Sequence, residues 1–245
     1  MKTSKTVGIM GGMGPAATVD LMQRIIAATP AADDDDHIRM LVDNNPKVPS
    51  RMKALIEKTG PSPLPMLRAM AGQLSEQGAD LLVMPCNTAH HYYAELSASV
   101  DIPFLNIMAL VSAHIADRQP GFARVGLLAS SALSQIRLYE PWFESQGAEI
   151  VYPTSEKQNA LMELIIAVKA NAGEQLGYAA LQECADALKA QNVDCLVIAC
   201  TELSVVATKF QTDLPCYDAA DILAHEVVKQ AMDCTTIEPK EPTAS

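Results

Sequence analysis

One arrangement of residues occurs twice in this chain. Residues 81–91, LLVMPCNTAHH, are an apolar run closed by Pro85, then Cys86, Asn87 and Thr88, then a helix-like segment. Residues 195–203, CLVIACTEL, repeat it, with Cys200 standing 114 residues after Cys86. Other pieces recur near that spacing. VGIMGG at Val7 returns as VGLLAS at Val125, and DIPFLNIMALVSAHI at Asp101 returns as DLPCYDAADILAHEV at Asp213. Three matched segments in the same order indicate a duplicated unit of about half the chain, longer than the repeats of solenoids. Short apolar runs bounded by turn residues read as buried strands. Each cysteine then sits where a strand stops and a helix begins. A duplicated α/β unit brings two such strand ends to one cleft, where Cys86 and Cys200 face each other.

The rest of the chain fits this frame. Thr6–Met10 reads as a strand, followed by the glycine turn Gly11, Gly12, Met13, Gly14 and a helix to about Ala28, with Pro15 in its first turn. Strands are expected at 37–43, 79–84, 101–107, 124–129 and 194–199, with a last strand–helix unit over 214–232. Helices are expected over 67–78, from about 107 to 117, and over 155–171 and 173–191. No element is assigned between 135 and 154. The fold class is therefore α/β, with two similar domains of mainly parallel sheet flanked by helices, related by a pseudo-twofold, and an active site in the cleft between them. The expected division is 1–101 plus 212–233 for the first domain, 102–211 for the second, and a disordered tail over 234–245.

Composition narrows the function. The 245 residues are 49% hydrophobic, ample for packed cores, but only 4% aromatic, which disfavours a base-stacking surface. A formal net charge of −11 without a basic stripe makes nucleic acid and anionic membrane poor partners. No stretch is apolar enough to span a bilayer and no signal peptide is evident, so the expected location is cytoplasmic. The six cysteines lack the paired spacing of a disulfide scaffold. Cys184, Cys195 and Cys216 read as small buried hydrophobes, and Cys234 as exposed near a frayed end.

A thiol at a strand–helix junction lies beside unpaired backbone N–H groups and the positive end of a helix dipole, which favour the reactive thiolate. Two such thiols have few good uses. A redox pair usually comes as Cys-x-x-Cys, metal sites want four ligands, and a lone nucleophile needs one cysteine and a base. Two acid–base groups on opposite faces of one carbon, however, invert a stereocentre. Asn87, Thr88, Thr201 and nearby amides then hold an α-carboxylate and stabilise the developing carbanion. Arg51, in an Asn- and Pro-rich loop after the second strand, offers a fork for a carboxylate, although a surface ion pair is the commoner use. Ser130, Ser131 and Ser134 supply hydroxyls at the matching strand end, where helix capping is the ordinary role. Lys169 reads first as dipole compensation at a helix end. A Schiff-base lysine is the alternative, although no phosphate-cradling loop for a pyridoxal cofactor is evident. Glu202 reads as a first-turn acid, with binding of a substrate ammonium as its alternative. His90 and His91 project in different directions, so only one can approach Cys86. Gly12-x-Gly14-x-x-Ala17 with Asp43 also matches a dinucleotide fingerprint, but the second copy has Ala129, Ser130 and Ser131 there. Asp33–Asp36 reads as a solvated turn rather than a metal site.

The segments GGMGP (11–15), NNPKVPSR (44–51), MPCNTAH (84–90), VKA (168–170) and ACTE (199–202) resemble the aspartate/glutamate racemase family, on its aspartate racemase branch, nearly to residue 232. The resemblance implies catalysis without cofactor, an amino-acid substrate, and a homodimer, and no metal site is expected from the residues. By motif match Cys86 and Cys200 are the two bases. Asn87, Thr88, Thr201 and Glu202 hold the amino-acid head, Arg51 and Lys169 lie near the side-chain carboxylate, and Met13 belongs to the loop over the site. Ser131 is taken as a further substrate contact. Glu202 stands where glutamate racemases carry histidine, which turns the expectation toward aspartate. Ser50, where aspartate is common, and Ala132-Leu133, where Gly-Thr is common, are departures that bear on substrate identity. The alternatives are a related dicarboxylate isomerase or decarboxylase, and a non-catalytic amino-acid-binding protein.

Overall fold

The computed structural model describes residues 4–172, 178–207 and 210–233. The expected tail, Cys234 and the start of the helix expected at 173 lie outside these residues. The first unit carries β1 (Val7–Gly11), α1 (Pro15–Ala28), β2 (Met40–Asn44), α2 (Leu64–Glu76), β3 (Leu81–Val83), α3 (Tyr93–Ser97) and α4 (Ile107–Arg118). The second carries β4 (Arg124–Leu128), α5 (Ser131–Ile136), α6 (Glu140–Glu144), β5 (Glu149–Val151), α7 (Ser155–Lys169), α8 (Ala179–Lys189), β6 (Cys195–Ile198), α9 (Thr201–Val206), β7 (Cys216–Asp218) and α10 (Ala219–Met232). Both sheets are parallel, ordered β2-β1-β3 and β5-β4-β6-β7. Parallel neighbours cannot be joined by tight turns, so helices make the connections.

The duplication is visible in which way side chains point. Successive strand residues face opposite sides of a sheet. Val7 and Ile9 of β1, Leu81 and Val83 of β3, Val125 and Leu127 of β4, and Cys195 and Val197 of β6 all enter one core shared by the two sheets. Their alternates face outward. Met10, Leu82 and Met84 meet Leu67, Met70 and Leu74 of α2, and Leu128, Leu196 and Ile198 meet Leu161 and Leu164 of α7 and Leu181 and Leu188 of α8. Each fully buried aliphatic side chain contributes roughly 1.5–3 kcal/mol, so the shared core holds the two units together strongly. Among the described residues no helix is long and apolar enough to cross a membrane.

Strand pairing departs from the expected domain division. Phe104 bridges to Leu82 of the first sheet, and Cys216–Asp218 pairs with β6 of the second. Each unit therefore keeps its last strand position, and the helix that follows crosses over. α4 packs against α10 and α6, while α10 packs against α1 and α4. Corresponding side chains start the two crossing helices: Asn106 accepts from the Met108 and Ala109 N–H groups, and Asp218 from that of Ala220. The strand expected over 101–107 shrinks to the bridge at Phe104, because Pro103 has no N–H to donate and Asn106 already caps a helix. The unassigned stretch before 155 holds α6 and the edge strand β5.

The glycine turn after β1 is required by the chain's own packing. Gly12 has φ +88°, and a Cβ there would lie 2.2 Å from the Asn45 carbonyl carbon. Its N–H donates to Thr18 Oγ1 at 2.9 Å. Backbone approach of the β2 loop thus accounts for the glycine without a dinucleotide. Gly12→Ala is expected to cost more than about 2 kcal/mol, through left-handed strain and overlap. Urea unfolding checks it, and a change within about 0.5 kcal/mol, as for an ordinary surface site, would contradict this account.

Candidate active site

Cys86 follows β3 by way of Pro85, and Cys200 caps α9 in an extended conformation (φ −136°, ψ 117°). Both are buried, free cysteines. They line a single cleft of about 480 Å³, including its open mouth. Hydrogen bonds close that cleft across the two units. Thr201 Oγ1 donates to the Pro85 carbonyl at 3.0 Å, and Thr88 Oγ1 lies 3.4 Å from Ser130 Oγ. Tyr139 Oη donates to Asn87 Oδ1 at 2.6 Å.

Glu202 is the electrostatic centre. Its side chain is only 6% exposed. Oε1 accepts from the Gly14 N–H at 3.1 Å and lies 3.4 Å from Lys169 Nζ, while Oε2 accepts from Cys200 Sγ at 3.1 Å. Burial pushes the Cys200 thiol well above the ordinary cysteine range, the Glu202 charge pushes it further, and Lys169 opposes only part of this. The expectation that a helix start favours the thiolate is thereby overturned for Cys200. Desolvation and an adjacent carboxylate outweigh the few amides of a short helix. Cys200 rests as a thiol donating to Glu202. Burial alone would lower Lys169, but the adjacent Glu202 charge opposes this, and it stays above its usual value as an ammonium.

Arg51 begins a helical turn after the β2 loop. Nη1 donates to the Pro49 carbonyl at 3.0 Å and Nη2 to the Met13 carbonyl at 3.0 Å. Among the described residues no carboxylate pairs with it. Arg51 and Lys169 therefore set two cations against the single carboxylate Glu202 in one cleft. Met13 packs over this end and is buried.

The cleft gathers Met13, Arg51, Cys86, Asn87, Thr88, Lys169, Cys200, Thr201 and Glu202 as expected, but not Ser131. Ser130 lines it instead. Ser130 is the last extended residue before α5, so its hydroxyl still points off the strand end, whereas Ser131 has turned with the helix and its N–H faces Met162 Sδ at 3.2 Å. The Thr201 hydroxyl hydrogen is occupied by Pro85, leaving its lone pairs and backbone N–H for a ligand.

His90 approaches the Cys86 backbone, not its sulfur. Nδ1 lies 2.9 Å from the Cys86 carbonyl, and Nε2 accepts from the Ile107 N–H at 3.4 Å. Burial lowers its pKa to about 4, so the ring is neutral and braces the turn. His91 is exposed. The acidic run is a turn: Asp33 and Asp36 form a reciprocal cap. Among the described residues no cluster of three potential ligands is placed to hold a metal ion. Sequence reasoning missed Tyr139, Met52 and Met162. Tyr139 fell in the unassigned stretch, and the methionines look like ordinary apolar positions.

Comparison with known proteins bears on the family and the fold. A profile of the family described as Asp/Glu/Hydantoin racemase matches residues 10–227. The broad specificity amino-acid racemase RacX of Bacillus subtilis (strain 168) is 27% identical over 229 residues, spanning 91% of this chain and 96% of RacX. The structure of Picrophilus torridus aspartate racemase is 31% identical, with a TM-score of 0.82, covering 93% of this chain and 94% of that one. Glutamate racemase isoform RacE1 from Bacillus anthracis, at 16% identity and a TM-score of 0.60 over 94% of this chain and 82% of that one, shares the fold.

Glu202→Gln keeps the shape of the side chain, removes its charge and leaves Lys169 unopposed. The Cys200 thiol is then expected to ionise at lower pH than in the parent. Alkylation of Cys200 followed by mass spectrometry across pH measures the midpoint, and an unchanged or higher midpoint contradicts the assigned cause.

Proposed function

The chain belongs to the Asp/Glu/Hydantoin racemase family, and from that premise we propose a cofactor-independent racemase of aspartate that uses Cys86 and Cys200 as its two bases. It is an amino-acid racemase, an isomerase. The observation that carries the finer reading is two unbonded thiols from matching strand ends lining one cleft with two cations.

In the proposed reaction one thiolate takes the Cα proton. The electron pair left on Cα spreads into the α-carboxylate, and the opposite thiol delivers its proton to the other face. The enzyme finishes with proton and charge exchanged between the two sulfurs, and the reverse passage regenerates it. Cys200, held protonated by burial and Glu202, starts as the acid. Arg51 and Lys169 attract the side-chain carboxylate, and Glu202, Asn87, Thr88 and Thr201 hold the head. A broader substrate range is the second reading, supported by the likeness to RacX and by the occupation of both Arg51 Nη atoms by backbone carbonyls. Acid–base thiols must stay reduced, which supports a cytoplasmic setting. The homodimer expected from the family resemblance belongs to the proposal, and light scattering reads it directly.

Cys86→Ser and Cys200→Ser are each expected to lower racemisation by about 10²–10⁴-fold, the usual contribution of an acid–base group. Circular dichroism of L- and D-amino acids measures it, and either variant turning over at the parental rate ends the two-base assignment. Arg51→Ala is expected to weaken aspartate turnover by about tenfold to a hundredfold, as for a lost charged hydrogen bond, and a neutral amino acid far less. Equal losses for both would remove its proposed contact. Exchange of the substrate Cα hydrogen with solvent deuterium separates racemase from binding protein: binding of both enantiomers without exchange favours the latter.

A further inference from the structure

We propose that Tyr139 of the second unit is a positioning residue that fixes the Asn87 amide with its NH2 turned into the cleft, as a donor to the substrate's α-carboxylate. The inference rests on the racemase reading above.

Asn87 is 3% exposed, and its Nδ2 has no hydrogen-bond partner. A buried amide NH2 without an acceptor is uncommon in a settled interior and marks a place where something is missing. Asn87 lines the cleft and adjoins Cys86 in the chain. The other end of the amide is held firmly, since Oδ1 accepts from Tyr139 Oη at 2.6 Å. Turning the amide over would let Nδ2 donate to the Tyr139 oxygen, but it would leave the buried phenolic hydrogen without its acceptor and would direct Oδ1 at the cleft. Tyr139 disfavours this, because among the described residues its hydroxyl hydrogen has no acceptor other than Asn87 Oδ1. It is wholly buried, its ring lies 6.2 Å from that of Phe143, and burial keeps its hydroxyl protonated beyond the ordinary tyrosine range.

The free NH2 selects its ligand by chemistry. An amino acid offers acceptors only on carboxylates, because its ammonium has none. Next to Cys86 the relevant carboxylate is the one on the reacting carbon. As the Cα proton leaves, negative charge moves onto those oxygens. A donor fixed there binds the transition state more strongly than the ground state, so its loss appears in kcat more than in KM.

The test is a double-mutant cycle on the full chain with aspartate, alongside thermal unfolding. Tyr139→Phe is expected to lower kcat about tenfold, part of the effect of losing an oxyanion donor outright, with KM within about threefold. Asn87→Ala is expected to lower kcat further, and adding Tyr139→Phe to it should then change nothing. Asn87→Asp keeps the bond from Tyr139 but has no donor, and is expected to match Asn87→Ala; it tests the donor on which the role of Tyr139 depends even if Tyr139→Phe fails to fold. Multiplicative losses, an unchanged kcat in Tyr139→Phe, or an active Asn87→Asp overturn the inference alone. A parent chain that racemises no amino acid overturns the racemase reading and this inference together.

Discussion

The Glu202 carboxylate is the contact on which the site depends. It is buried, and charge is costly to bury without partners. Here three partners come from three places: the Gly14 N–H from the glycine turn, the Lys169 ammonium from the end of α7, and the Cys200 thiol two residues before it. One side chain thus ties the first unit to the second and sets the protonation of a catalytic candidate. The arrangement adds little net stability by itself, since desolvation offsets attraction. Its effect is to fix which atoms face one another.

The shared core makes that alignment durable. Inward residues of both sheets pack into a common interior with α4 and α10, the helices that cross between units. Separating the two halves would expose all of it. The cleft is therefore walled by strand ends whose relative position is set by side chains on the opposite side of the same strands. Polar contacts then refine it: Thr201 to Pro85, Thr88 beside Ser130, and Tyr139 to Asn87 each join residues from different units. His90 adds a neutral brace between the Cys86 carbonyl and the start of α4.

The glycine turn shows how one motif serves two readings. Its spacing fits a dinucleotide fingerprint, yet its openness is consumed by Asn45 and Thr18. The glycines let β1 end against the β2 loop and place the Gly14 N–H on Glu202. Pattern alone cannot separate these outcomes, because both demand the same absence of side chains.

From sequence alone came the duplication, the parallel α/β class, the two cysteines at equivalent strand ends and most of the polar residues around them. The duplication, the class and the cysteine positions are readable because strand period, turn residues and repeated motifs are local properties, whereas Arg51, Lys169 and Glu202 were implied by the family resemblance. The tertiary structure decided what depends on contacts between distant segments. It kept residues 216–218 in the second sheet and let the helices cross, because strand pairing and helix packing are settled by different neighbours. It chose Ser130 over Ser131, a matter of where one helix begins turning. It held the Cys200 thiol protonated, because burial and a neighbouring carboxylate outweigh the local amides that the sequence advertises. It brought in Tyr139, whose hydroxyl matters only through an amide 52 residues away.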